Sequence, residues 1–182
     1  MKMKVTKKMT LCALFAALIT IGTYIKIPTP LLPLTFQTMF VVLSGLVLGS
    51  KLGAVSVVVY VIAGLVGLPV FTGSALNPTF GYIIGFIPGA WLSGRIAERF
   101  RPGFWTWTAG ALAGMTVIYA FGIPYYYFMS KYYLGNELGA KTLLMYFVLM
   151  PMPGDIVKSV LAGLIVKRLS EFFPESFTWR RD

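Results

Sequence analysis

The sequence predicts an all-α membrane protein, six transmembrane helices in one integral domain over residues 1–182, and three observations predict it. Hydrophobic residues make up 57% of the chain and charged residues only 12%, about half the share of an ordinary soluble domain. Mean hydropathy is +0.77, and the apolar residues fall in runs separated by proline, glycine and lysine. A crossing takes about 20 residues, so the length of 182 accommodates five or six.

The first span, about 7–25, follows Lys2, Lys4, Lys7 and Lys8. No small-x-small pattern precedes Lys26, Pro28 and Pro30, so this span is expected to stay uncleaved. Residues 27–33 hold three prolines and are expected as loop or extended chain. The second span, about 34–48, opens on Thr35, Phe36, Gln37 and Thr38; Gly49, Ser50 and Lys51 turn the chain into the third, about 51–68. A loop rich in glycine, proline and small polar residues, 67–79, leads to the fourth span, about 80–97. There Gly81, Gly85 and Gly89 recur every fourth residue, giving one smooth face for close approach of a helix or ligand. The fifth span, about 105–129, has Trp105 and Trp107 at one end and Tyr125, Tyr126 and Tyr127 at the other, as interfacial aromatic belts require. Residues 139–150 are apolar but too short to cross and are expected as an interfacial or partly inserted helix. The last span is about 154–170.

With the amino terminus in the cytoplasm, twelve of the 16 basic residues fall on the cytoplasmic side: Lys2, Lys4, Lys7, Lys8, Lys51, Arg95, Arg99, Arg101, Lys167, Arg168, Arg180 and Arg181. Lys26, Lys131 and Lys141 fall outside, with Lys158 near the outer end of the last span. That asymmetry supports both the span count and a multi-pass cell-membrane protein with both termini cytoplasmic. Basic charge placed this way orients the chain against acidic headgroups and implies no nucleic acid.

The absent chemistry narrows the function. No histidine and a single cysteine, Cys12, leave no intrachain disulfide and argue against a metal centre. There is no phosphate-binding G-x-x-x-x-G-K-[ST] loop, no H-E-x-x-H and no paired catalytic acids, so the chain is expected not to be an enzyme. Any uphill transport would draw its energy from a partner or an ion gradient.

What remains polar within the apolar runs is a short set. Asp155 and Lys158 stand three apart, on one helical face, ahead of an uncharged run from Ser159 to Ile165. An ionisable group in a transmembrane segment costs about 2.5–3.5 kcal/mol on insertion scales and generally faces a cavity or a partner. The two form either an intrahelical ion pair, with Asp155 favoured by the helix dipole, or a ligand site in which a carboxylate accepts N–H groups and an ammonium donates to a carbonyl. Asn77 precedes Pro78 and either opens a turn or adds a contact to that site. Gln37 and Thr35 either cap the second span or bind ligand. Tyr82, with Phe36, Phe71 and Trp91, lines core, lipid or the wall of a pocket. In the first span Ala13 and Ala17 make a small-xxx-small pair, echoed by Cys12 and Ala16, for packing within the chain or for docking another subunit.

Leu34 to Thr38, Ser44 to Gly49, Gly64 to Phe71, Pro78 to Phe86 and Pro153 to Lys158 together resemble, from about residue 7 to 170, the BioY family. These are biotin-binding S components of energy-coupling-factor transporters. The resemblance implies a six-helix S-component fold that captures biotin from outside. It also implies partners, a transmembrane coupling protein and two cytoplasmic ATPase subunits, which alone use ATP; the chain itself would carry no cofactor. Asp155, Lys158 and Asn77 fall where that family places polar groups around its ligand, and Ala13 with Ala17 resembles its docking motif. The stretch 73–77 departs from the longer glycine-rich run of many members.

Overall fold

The computed structural model describes residues 4–27, 34–71, 77–135, 139–173 and 177. Pro28, Pro30 and Pro33, the 72–76 part of the third loop, and Lys2, Arg180 and Arg181 lie outside the described residues.

The described residues form five long helices, one of them broken at a kink into two arms, and a short one. They are α1 (Val5–Tyr24), α2 (Gln37–Leu65), α3 (Phe80–Arg99), α4 (Phe104–Tyr132), the short α5 (Ala140–Leu144) and α6 (Met152–Phe172). Between α1 and α2 a two-residue antiparallel ribbon pairs β1 (Lys26–Ile27) with β2 (Leu34–Thr35). Among the described residues four stretches are long and apolar enough to cross a bilayer: Val5–Tyr24, Gln37–Leu65, Phe104–Tyr132 and Lys141–Phe172. The glycines of α3, with Pro88, Tyr82, Trp91 and Ser93, lower its hydropathy, yet it packs between α2 and α4.

The expected second and third spans are the two helical arms of α2, joined by a non-helical break at Gly49 (φ 81°, ψ 174°). In a straight helix Gln37 and Tyr60 would lie about 34 Å apart. Here Gln37 Nε2 donates to Tyr60 Oη, and a Cβ on Gly53 would fall 2.6 Å from Gly45 Cα. The two arms of α2 therefore fold back side by side at a single residue whose backbone conformation is essentially restricted to glycine. Glu98, at the end of α3, secures the turn: its carboxylate accepts from Ser50 N–H at 2.7 Å and from the Ser50 hydroxyl. Gly49→Ala is expected to destabilise the protein by about 1–3 kcal/mol, measured as a lower thermal midpoint in detergent.

The second arm ends in a Schellman motif, with Gly67 at φ 97° donating to Gly64 O and Leu68 N–H donating to Ala63 O. The smooth face of α3 is spent on helix packing. Cβ atoms on Gly85 and Gly89 would fall 2.9 Å from the carbonyls of Ile118 and Gly114, and one on Gly81 would strike the Tyr125 ring. With α3 held this close to α4, and α2 against α3, the core runs through Val41, Leu46, Val57, Ala90, Ala111 and Ile118.

Residues 140–149 run on towards α6 through Met150 and Pro151, both in the right-handed helical region. Pro151 and Pro153 offer no N–H to the carbonyls one turn back, and the chain widens into a π-helical turn, Met145–Leu149, with Met150 N donating to Met145 O. Helix α5, this turn and α6 thus make up the 32-residue stretch Lys141–Phe172. Asp155 and Lys158 lie near the middle of that stretch.

Candidate functional site

Three elements converge on the acid and the amine. Asp155 and Lys158 are 6% and 8% exposed, and Lys158 Nζ lies 2.5 Å from Asp155 Oδ1, so the intrahelical pair exists. It is not closed on itself. Tyr119, from the middle of α4, donates its hydroxyl to Asp155 Oδ2. Lys158 Nζ donates to the Thr35 carbonyl at 3.2 Å and to Thr38 Oγ1 at 3.0 Å, reaching β2 and the first turn of α2. Ser159 Oγ returns a bond to the Asp155 carbonyl and satisfies the polar atom behind the pair. Oδ2 thus has a hydrogen-bond donor, Oδ1 has the ionic contact but no aligned hydrogen bond, and the ammonium makes two hydrogen bonds besides the ion pair. The hydrogen bonds on Oδ2 and on the ammonium offset part of the cost of burying the pair.

Tyr82 stands beside this group. Its ring meets that of Tyr119 edge-on, centroids 5.6 Å apart. It lies against Gly122 of α4, where a Cβ would fall 2.4 Å from the Tyr82 ring. The Tyr82 hydroxyl is one of the few buried side-chain polar atoms among the described residues without a hydrogen-bond partner. An unmet buried donor costs about 1–3 kcal/mol, so a polar ligand group that pairs with it gains that much.

The other expected residues divide. Thr35 joins the site through its backbone carbonyl, which accepts from Lys158 Nζ. Gln37 is buried one residue before Thr38, but its amide donates to Tyr60, whose hydroxyl in turn donates to Val70 O at 3.3 Å. That chain ties the start of α2 to the loop after its end. Asn77 Oδ1 accepts from the backbone N–H and the hydroxyl of Thr79 at 3.1 and 3.0 Å, the turn-opening role, and leads into α3. Ala13 and Ala17 are exposed on α1, whereas Cys12, Phe15 and Ile19 face the chain's own core. Packing within the chain therefore accounts for Cys12 and not for the alanine pair.

Sequence reasoning missed Tyr119 and Thr38. A hydroxyl in the centre of an apolar span was the available signal for Tyr119. Thr38 stood in a motif already singled out, one residue from the position chosen.

These features define a multi-pass helical membrane protein with a buried acid–amine pair and an unpaired hydroxyl beside it. Similarity to known proteins defines it further. The BioY family profile matches residues 1–175, and the chain belongs to that family. It is 35% identical to the probable biotin transporter BioY of Lysinibacillus sphaericus, over 95% of this chain and 91% of that protein. It is 39% identical to the biotin transporter BioY of Thermotoga maritima, over 87% of this chain and 92% of that one. Among solved structures it superposes on the S-component for biotin from an ECF-type ABC transporter with a TM-score of 0.82 and 27% identity, covering 96% of this chain and 99% of that one.

Proposed function

We propose that this chain is the biotin-capture subunit of an ECF-type transporter. The observation that carries it is the Asp155–Lys158 pair, buried yet bonded outward to α2 and α4, with the unpaired Tyr82 hydroxyl alongside. Biotin's ureido ring offers two N–H donors and a carbonyl acceptor. Asp155 accepts a ureido N–H, Lys158 donates to a ligand acceptor in place of one of its threonine contacts, and Tyr82 supplies a hydroxyl. Asn77 and Gln37, at the starts of α3 and α2, serve the remaining polar atoms, and Thr35 holds the ammonium in register. The test is equilibrium binding of labelled biotin to the purified protein, with thiamine and riboflavin as competitors. Saturable binding displaced by biotin alone supports the reading; displacement by another vitamin, or no saturable binding, overturns it.

Counted as separate crossings, the two arms of α2 bring the total to six and keep both termini on one side, which the basic residues mark as cytoplasmic. Energy for uptake comes from a transmembrane coupling protein and two ATPase subunits, docked through the exposed Ala13–Ala17 face of α1. Ala13→Leu with Ala17→Leu is expected to leave biotin binding within about twofold while cellular uptake falls at least about tenfold, since small residues permit the close approach that leucine blocks. Unchanged uptake would remove the docking role.

A further inference from the structure

Two i,i+3 partners on one helix, left to themselves, would turn wholly towards each other and offer a ligand little. The Asp155 carboxylate does not, because a group from another helix holds its second oxygen. We infer that Tyr119 is the positioning residue of the site: its hydroxyl, donated to Asp155 Oδ2 from α4, fixes the rotation of the carboxylate that receives the ligand. This rests on the biotin-capture reading and adds to it a residue that acts through Asp155.

Three observations build the role. Asp155 Oδ1 is 2.5 Å from the Lys158 ammonium but is not in a well-aligned hydrogen bond, so Lys158 alone does not set the carboxylate's orientation. Tyr119 is itself fixed, its ring edge-on to Tyr82, and Tyr82 seated where Gly122, one turn on from Tyr119 along α4, leaves room for no side chain. Lys158 is drawn the other way by Thr38 Oγ1 and the Thr35 carbonyl. The acid is thus anchored to α4 and the amine to α2, and the geometry of the pair reports the spacing of those two elements. Tyr119 need not touch the ligand for this to matter, because a charge-assisted bond is effective only when acceptor and donor are aligned beforehand.

The experiment is a double-mutant cycle on biotin affinity, measured by equilibrium dialysis of the purified full-length protein with Tyr119→Phe, Asp155→Asn and the two combined. Tyr119→Phe alone is expected to weaken binding about tenfold, the effect of losing one bond to a charged group. In the Asp155→Asn background the same change is expected to weaken it less than about twofold, because no carboxylate remains to be oriented. Losses that multiply would overturn the inference, since a tyrosine that merely packs, or that binds ligand itself, acts independently of residue 155. If Tyr119→Phe alone gives no folded protein, Asp155→Asn with and without Tyr119→Phe decides it: equal affinities support the role, and a further tenfold loss ends it. A wild-type protein that does not bind biotin refutes the capture reading, whereas wild-type binding with multiplied losses refutes only the role of Tyr119.

Discussion

Asp155→Asn is expected to weaken biotin binding about 100-fold, roughly 2.7 kcal/mol, with the protein still recoverable in detergent. In the native chain one carboxylate oxygen accepts from Tyr119 and the other faces the Lys158 ammonium. An asparagine amide has one acceptor oxygen and one NH2 donor, so it cannot serve both. With its oxygen on Tyr119, its NH2 faces the ammonium; turned the other way, it requires the Tyr119 hydroxyl to rotate and accept instead of donate. In both, the ureido N–H loses a charged acceptor for a neutral one. Part of the effect is structural, because the ammonium, 8% exposed, keeps only the Thr35 carbonyl and Thr38 hydroxyl. Removing one member of a buried pair costs about 3–5 kcal/mol of stability. The two contributions separate with a second substitution. Asp155→Asn combined with Lys158→Met removes both charges and is expected to recover most of the thermal midpoint lost by the single variant, while biotin affinity stays low. Recovery of affinity together with stability would make the pair a scaffold only, and wild-type affinity in Asp155→Asn would exclude the carboxylate as a ligand contact.

How far the site could be read beforehand follows from the range of the forces involved. Asp155 and Lys158 were legible because a charge in an apolar run is anomalous wherever the chain folds, and their i,i+3 spacing places them on one face without tertiary knowledge. Tyr119 and Thr38 were not, since their bonds span 36 and 120 residues and depend on which faces of α2, α4 and α6 meet. Asn77 shows the opposite case: its turn-forming bonds to Thr79 are local, and local chemistry anticipated them. The reversal between the second and third spans was legible as a turn at Gly49, but its tightness was not. A three-residue turn is the ordinary way to join two helices, but a glycine with φ 81° reverses the chain alone, so helical bonding resumes at once. The stretch 139–150 was judged by its own length, and nothing local shows that it runs on through Pro151 into α6.

Gly45→Ala is expected to be among the most destabilising single-methyl additions in the chain, costing about 3 kcal/mol, the upper part of the range for overpacking. Gly45 lies where both arms of α2 meet α3. The added Cβ would sit 2.0 Å from the Ala90 carbonyl oxygen and 3.0 Å from Gly94 N, both backbone atoms that no rotamer change can move aside. The surrounding contacts leave no room for rigid displacement. A Cβ on Gly53 already falls 2.6 Å from Gly45 Cα on the other side, and one on Gly94 falls 2.4 Å from Ser50 N. Relief would require α3 to retreat from α2, but Glu98 bonds the end of α3 to the Ser50 turn, and Gly89 and Gly114 hold its other face on α4. The methyl group must therefore break contacts on at least one side. Gly154→Ala provides the control, since a Cβ there meets nothing within 4 Å, and removing a glycine from a helix stabilises by about 0.5–1 kcal/mol. Thermal midpoints in detergent should place the two variants on opposite sides of wild type. A Gly45→Ala protein that melts with wild type would mean that α2 and α3 have room to part, and that the close-packed glycine seam is not what holds Thr38 within reach of Lys158.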